Sequence, residues 1–267
     1  MIEIEKTIEG ITGVKTATEY NNEPIMWVYA YRIGDALIDA GCSNSLQELR
    51  DYNEKQPVRN VYITHAHEDH VGGVSVFAKT GKIYAPATTV ELILHPPDIP
   101  DFFKFAWGRP EPIDNVYPLP EEFDIDDFHF RVMGLPGHIQ HMVGFFEPDR
   151  KWLFSGDAVP SPSRKYFAMP EENIPRMIVT MEHIQTLGLE VLFDAHRGPI
   201  ASPYEHIQKR IDYLEETHEK VREMHDDGLD FSQMMNRLGL TPPWFMEMTK
   251  TRYSIDFFLR SLVEDTP

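Results

Sequence analysis

The segment Thr64-His65-Ala66-His67-Glu68-Asp69-His70 decides how this chain is interpreted, because three imidazoles and an aspartate fall within one short loop. The run before it, Val58–Thr64, is rich in β-branched and aromatic residues, which predicts a strand. The run after it, Val71–Ala78, predicts the opening of a helix. The histidines therefore lie where a strand ends and a helix begins.

The spacing within this loop predicts two groups of metal ligands. His65 and His67 project to the same side of an extended backbone, because side chains alternate along a strand. Asp69 and His70 follow the turn and can approach from a second direction. Imidazole and carboxylate suit zinc, iron and manganese, and a carboxylate can bridge two ions. One loop could thus serve two adjacent metal ions.

Four further motifs occur in a fixed order, one before this loop and three after it, each placing an Asp or His beyond an apolar run. They are Leu37-Ile38-Asp39-Ala40-Gly41, Gly134-Leu135-Pro136-Gly137-His138, Leu153-Phe154-Ser155-Gly156-Asp157 and Phe193-Asp194-Ala195-His196-Arg197-Gly198-Pro199. Together with His-Ala-His-Glu-Asp-His, this order resembles the signature of the metallo-β-lactamase superfamily, over residues 12–200 or so. The resemblance is specific for fold and metal site, and much less so for substrate.

The resemblance implies an α/β fold, a four-layer αββα sandwich over residues 1–203 with a helical C-terminal extension, 204–267, packed on it. It implies two divalent metal ions, with zinc preferred and iron or manganese as alternatives. The implied ligands are His65, His67 and His138 for the first ion, Asp69, His70 and His196 for the second, and Asp157 as the bridge. Asp39 would support the ligand loop, and Asp69 would also act in catalysis.

For function, the chain is similar to the glyoxalase II-like and lactonase-like branch. This implies a dinuclear hydrolase that opens carboxylic ester, thioester or lactone bonds with a metal-bound hydroxide. The alternative from another class is a persulfide dioxygenase-like oxidoreductase with one iron. A phosphodiesterase or nuclease and a non-catalytic binding module are weaker alternatives.

The amino-acid composition and charge favour some of these functional classes over others. The 267 residues are 42% hydrophobic, as in a globular protein, and the formal charge of −18 disfavours contact with nucleic acid. We expect no membrane association, because no apolar run is long enough to span a bilayer. A single cysteine and a start without a signal peptide predict a cytoplasmic protein, which counts against a secreted antibiotic-degrading enzyme. We expect a small-molecule substrate and allow for a homodimer.

Substrate-lining residues are predicted from two irregular stretches, residues 96–120 and residues 158–172, and from the C-terminal extension. Prolines interrupt residues 96–120, and the apolar run Phe102–Trp107 within them would form a wall over the site or pack as core or dimer contact. His141 stands where related hydrolases often carry Thr-Pro-Gly, and could be an acid for the leaving group or a partner of the site loop. The predicted lining residues are Phe103, Phe105, Trp107, His141, Arg164 and Tyr166, with Lys250, Arg252 and Tyr253 as further candidates.

Three local predictions can be compared directly with the structure. Phe123–Met133 alternates as one strand, Pro243–Thr249 is assigned to a helix, and a long amphipathic helix begins at Tyr204. Gly72 and Gly73 weaken a helix, which indicates that they permit a close approach of backbone at the metal loop.

Overall fold

The computed structural model describes residues 1–249 and 252–264. The strands are β1 (Ile2–Lys6), β2 (Ile11–Thr16), β3 (Glu19–Tyr20), β4 (Glu23–Pro24), β5 (Val28–Ile33), β6 (Ala36–Ile38), β7 (Asn60–Tyr62), β8 (Lys82–Ala85), β9 (Tyr117–Pro118), β10 (Glu122–Ile125), β11 (Phe128–Gly134), β12 (Val143–Glu147), β13 (Trp152–Gly156), β14 (Val191–Asp194) and β15 (Gly198–Ala201). The α-helices are α1 (Leu46–Lys55), α2 (Glu68–Val71), α3 (Val74–Phe77), α4 (Val90–Leu94), α5 (Asp101–Ala106), α6 (Ile174–Thr186), α7 (Tyr204–Asp226), α8 (Phe231–Leu238) and α9 (Ile255–Val263). Short 3-10 helices cover Ser43–Ser45, Ala87–Thr89 and Glu247–Thr249.

Two mixed sheets form the centre of the fold. The first has seven strands in the order β1-β2-β5-β6-β7-β8-β9, and the second has six in the order β10 to β15. Most neighbours are antiparallel, but β6 to β9 run parallel in the first sheet, and β13 and β14 run parallel in the second. Parallel neighbours end at the same edge, so the loops that follow them leave the sheet side by side.

Three buried apolar clusters define the layers. Aromatic side chains from both sheets pack between them; Tyr62 and Phe123 stack with ring centroids 3.8 Å apart. A second cluster joins the outer face of the first sheet to α1 and α3 through Leu49 and Phe77. A third joins the outer face of the second sheet to α6, α7 and α9. The order helix, sheet, sheet, helix confirms the predicted αββα fold.

The C-terminal helices are part of the outer layer on the second sheet. Ile211 and Leu214 of α7 and Phe258 of α9 belong to the same apolar cluster as Met177 of α6. The amphipathic helix predicted from Tyr204 is confirmed and runs to Asp226. We propose that residues 204–267 are an extension that completes this layer of the catalytic domain. In the part of the chain that the structure describes, no helix is both long and apolar enough to cross a bilayer.

Two of the local predictions are wrong. The stretch Phe123–Met133 is two strands, β10 and β11, paired as an antiparallel hairpin. The turn lies at Asp126 and Asp127, and Asp126 adopts a positive φ of 52° that Asp tolerates better than most residues. Of Pro243–Thr249, only Glu247–Thr249 is helical, as a 3-10 turn.

The glycine pair after the histidine loop serves a close approach, as predicted. A Cβ on Gly72 would collide with the backbone of Cys42 and Ser43, and one on Gly73 would collide with the carbonyl of Ala40. Ala40 N also donates a hydrogen bond to His70 O at 2.8 Å. The loop after β6 therefore packs directly on the start of the helical segment, and a side chain at either glycine would push them apart.

Candidate metal centre

The site lies where the ends of strands from both sheets meet. Ile38 of β6 pairs in parallel with Tyr62 of β7, so Asp39 and the histidine loop leave the first sheet together. Gly156 of β13 pairs with Asp194 of β14, so the segments carrying Asp157 and His196 leave the second sheet together. His138 follows β11 in that same sheet. Strand order alone thus brings ligands from distant parts of the sequence to one edge.

The predicted ligands fall into two groups that share Asp157. The first contains His65, His67, His138 and Asp157, and the second contains Asp69, His70, Asp157 and His196. In each group one ligand atom per residue lies within 4.8 Å of all the others. His138 Nε2 is 2.9 Å from His67 Nδ1 and 3.4 Å from Asp157 Oδ2. Ligands held about 2.1 Å from a tetrahedral zinc ion lie about 3.4 Å from one another, so these separations fit a shared ion.

The outward-facing Nδ1 atoms of three of the ligand histidines are held by specific partners. Asp39 Oδ2 lies 2.8 Å from Nδ1 of His70, and the backbone carbonyl of Trp27 lies 3.1 Å from Nδ1 of His196. Glu172 Oε1 lies 2.9 Å from Nδ1 of His138. An oxygen acceptor on Nδ1 fixes the proton there and leaves the lone pair of Nε2 facing the cluster, which is the tautomer a metal ligand needs.

Opposite charges in the second group shift one another's pKa values. Burial alone would raise the pKa of Asp157, but His196 and His70 hold that pKa well below its usual value. Burial alone would lower the pKa of His196, but Asp157 and Asp69 raise it to about 9. His70 behaves in the same way, with a pKa well above the usual value because Asp69 and Asp157 outweigh its burial. The carboxylates of this group therefore attract positive charge into a buried space.

The first group is different, because its most deeply buried imidazole stays neutral. Burial, followed by the neighbouring His70 and His67, holds the pKa of His65 well below the usual value. A neutral imidazole is the form that binds a metal ion.

Two buried atoms at the centre of the site lack hydrogen-bond partners. Among the described residues, neither Nε2 of His70 nor Oδ1 of Asp157 forms a hydrogen bond. Buried polar atoms without partners are costly and indicate an interaction of another kind. Both atoms belong to the second group, so a cation bound there would satisfy them. The donor set and these atoms fit divalent metal ions.

A buried ion pair beside the site was not predicted from the sequence. Glu172 is fully buried, and besides His138 it contacts the Lys165 ammonium at 2.8 Å. Burial would raise the pKa of Glu172, but Lys165 and His138 lower it below its usual value. Ser261 of α9 also donates a hydrogen bond to the Glu172 carbonyl at 3.1 Å. This glutamate belongs to no spacing motif; at sequence level only its adjacency to the start of α6 distinguished it.

The C-terminal extension reaches the histidine loop through Arg252. Its guanidinium lies 3.4 Å from Glu171 and 3.9 Å from Glu68, and Glu171 lies 3.8 Å from Nε2 of His67. Tyr253 packs on Phe103 with ring centroids 5.7 Å apart. Of the three candidates in this extension, Arg252 and Tyr253 thus lie near the histidine loop, while Lys250 lies outside the described residues.

The predicted substrate-lining residues differ in where the structure places them relative to the metal ligands. The ring of Trp107 lies 6.2 Å from that of His196, and His141 lines a cleft of about 440 Å³ beside Glu171. Phe103 is buried in a small apolar cluster with Trp107 and Tyr253.

Three of the predicted lining residues point elsewhere. Phe105 is 44% exposed and contacts Tyr20 edge-on, while Arg164 and Tyr166 lie near Tyr213 of α7. The structure does not bring these three to the metal ligands. Their stretches have no regular periodicity, so nothing in the sequence indicates which way each side chain points.

We expect Asp39→Asn to weaken metal binding about 10- to 100-fold, the usual effect of removing a partner of a ligand histidine. Asp39 accepts a hydrogen bond from Thr64 N at 2.8 Å and contacts His70. An asparagine here would keep the shape of the aspartate side chain but lose its negative charge. Metal affinity measured by competition with a chelator tests this. Asp126→Asn is the matched control, because Asp126 has a similar positive φ but is exposed. An unchanged affinity in Asp39→Asn would contradict the prediction.

Comparison with known proteins found a family model and curated relatives that match this chain. Residues 27–170 match the family model described as the metallo-beta-lactamase superfamily. A hydroxyacylglutathione hydrolase from Legionella pneumophila (strain Paris) is 25% identical over 142 residues, which are 50% of this chain and 47% of the relative. The chain thus spans about half the length of this curated relative. A hydroxyacylglutathione hydrolase from Vibrio campbellii is 26% identical over 258 residues, 93% of this chain and 86% of the relative.

The fold of this chain is also similar to the folds of solved structures. A metallo-beta-lactamase family protein from Thermus thermophilus superposes with a TM-score of 0.66 over 95% of this chain and 91% of its own. The sequences are 17% identical, so this likeness concerns the fold alone.

Proposed function

This chain belongs to the metallo-β-lactamase superfamily, and from that premise we propose that it is a dinuclear metal-dependent hydrolase of carboxylic ester, thioester or lactone bonds. Thioesters are the first class to consider, because two of the curated relatives are named hydroxyacylglutathione hydrolase. The proposal goes beyond the hydrolase assignment of the family in naming the bond and the number of ions.

The observation that carries the proposal is the position of Asp157 in both ligand groups. Its Oδ2 lies 3.4 Å from His138 Nε2 of the first group, and its Oδ1 lies 3.4 Å from His196 Nε2 of the second. Oδ2 also lies 3.5 Å from His70 Nε2 of the second group, so this one carboxylate contacts ligands of both groups, which suits an aspartate shared by two ions. When bound, two divalent ions, zinc by preference, would polarise a substrate carbonyl and lower the pKa of a water molecule toward neutrality.

The protein's own groups would orient the reactants and move the proton. Asp69 Oδ2 lies 3.5 Å from His196 Nε2 and 3.7 Å from His70 Nε2, at the edge of the shared space. A carboxylate there can orient the attacking water and accept its proton. Trp107, whose ring lies beside that of His196, would exclude bulk water from this side of the site.

The leaving group would occupy the cleft beside His138. The residues that line this cleft are Pro136, Gly137, Gln140, His141, Glu171, Asn173 and Arg176. His141 is exposed there and can give a proton to a departing alcohol or thiol. The mixture of polar and charged groups favours a polar leaving group over a long alkyl chain.

Metal content and a substrate panel test this function together. We expect protein purified without chelator to contain about two zinc ions per chain and to hydrolyse at least one of a thioester, an ester and a lactone under anaerobic conditions. Removal of metal with a chelator should abolish hydrolysis, and added zinc should restore it. A single iron ion per chain, with oxygen uptake on glutathione persulfide and no hydrolysis, would instead identify the dioxygenase alternative.

A further inference from the structure

A second cleft, of about 710 Å³, lies between the loop that follows Asp157 and the first half of α7. Among the described residues that line it, none is a predicted metal ligand. Its basic lining residues are Arg164, Arg197, His206, Lys209 and Arg210. Such a concentration of cations is unexpected in a chain with a formal charge of −18. This cleft has no part in the hydrolase proposed above.

Arg210 forms the floor of this cleft and is only 2% exposed. Its Nε donates a hydrogen bond to Pro160 O and its Nη1 to His206 O, both at 2.7 Å. The third nitrogen, Nη2, is buried and has no hydrogen-bond partner within residues 1–249 and 252–264. Burial, and then the neighbouring Arg197, lower the pKa of Arg210 to about 10, so it stays charged at neutral pH. A buried charge with an unused donor is costly unless something binds it.

The neighbours of Arg210 compensate its charge only in part: the Asp194 carboxylate opposes the lowering of its pKa but does not outweigh burial and Arg197. In the described part of the chain, Arg164, Arg197, Lys209 and Arg210 form no ion pair, and Arg197 donates hydrogen bonds from its side chain only to the neutral Ser161 Oγ, at 3.1 and 3.3 Å. His206 Nε2 is likewise buried without a partner. Burial and these cations lower the pKa of His206 to about 4, so its ring is neutral and can donate an N–H.

The acidic residues of the cleft do not neutralise this floor. They are Glu205, Asp212 and Glu216, and all are exposed. Glu216 pairs with Lys220 at 2.6 Å, and Asp212 accepts a hydrogen bond from Gln208 at 2.7 Å. Both contacts are made within α7, and among the described residues no ion pair joins these carboxylates to Arg210.

We propose that this cleft binds the phosphate or carboxylate group of a small organic anion, with the free Nη2 of Arg210 and Nε2 of His206 as donors on its floor. A guanidinium presents its donors in a planar fork that matches the oxygens of either group. Lys209 and Arg164, which are exposed, supply charge at the rim. The volume exceeds that of a free oxyanion, so the remainder of an organic molecule also fits.

Calorimetric titration of the metal-loaded protein with inorganic phosphate, and separately with succinate, tests this site. We expect Lys209→Gln to weaken binding of the preferred anion about tenfold, the loss of one charge-assisted contact. Arg222→Gln is the matched control, because Arg222 is an exposed cation on the same helix outside the cleft, and it should bind as the wild type does. The tighter of the two anions identifies the group recognised.

Arg210→Lys provides a second variant that retains the charge but loses the fork, and it should weaken binding at least as much as Lys209→Gln. Metal content of each variant checks folding independently. A crystal structure with phosphate should place the ion beside Arg210. Equal affinity in Lys209→Gln and Arg222→Gln, or phosphate bound only between the two ligand groups, would overturn the proposal.

Discussion

Replacing Asp157 with Ala is expected to give a folded protein that retains less than one metal ion per chain and hydrolyses its substrate about 1,000-fold more slowly or worse. Asp157 is the residue that the two ligand groups share, so replacing it removes one ligand from each group. Two bound ions stabilise a transition state by several kcal/mol, and each 1.36 kcal/mol is about a factor of ten in rate. Elemental analysis and steady-state kinetics on the same preparation measure the two effects.

The control for this variant is Asp114→Ala. Asp114 is exposed and outside both groups, so its removal should change neither metal content nor kcat/KM. Circular dichroism should show that Asp157→Ala keeps its secondary structure, since the sheets and their apolar clusters do not depend on this carboxylate. Normal metal content in Asp157→Ala would rule out the bridging assignment, whatever the activity.

Glu172→Gln is expected to lower both the free energy of unfolding and metal affinity. The Lys165 ammonium would remain buried without its counter-charge, and breaking a buried pair in this way costs about 3–5 kcal/mol. His138 would lose the carboxylate that holds its Nδ1 proton, which should weaken metal binding about 10- to 100-fold. Urea denaturation of the metal-free protein measures the first effect, and chelator competition measures the second.

Two further variants separate these effects. Adding Lys165→Met to Glu172→Gln removes the unpaired charge, so stability should recover while metal affinity stays low. Glu147→Gln is the matched control, because Glu147 is also fully buried and pairs with Arg150 at 3.0 Å, outside both ligand groups. It should lower stability without changing metal affinity. Recovery of metal affinity in the double variant would mean that Glu172 acts through folding alone.

Much of the fold and the ligand set could be predicted because the relevant signals are local. The strand before the histidine loop and the helix from Tyr204 follow from residue type and hydrophobic periodicity, whereas the αββα class was implied by the family resemblance that the ordered motifs carry. The ligands lie at strand ends, which composition marks clearly. The hairpin at Asp126 was missed although the alternation breaks there: Phe123 and Ile125 precede two successive aspartates, and Phe128 resumes the apolar pattern one position out of step.

The sequence by itself determined which side chains could bind metal and that they follow apolar runs typical of strands; the pairing of those strands brings them to one edge. Only the tertiary structure decided which groups hold those ligands in place. Glu172, paired with Lys165, contacts His138, and the Trp27 carbonyl contacts His196. It also decided that Arg210 is buried with an unused donor. The physical reason is that a ligand motif is a property of neighbouring residues, whereas a buried partner is selected by packing between segments far apart in the chain.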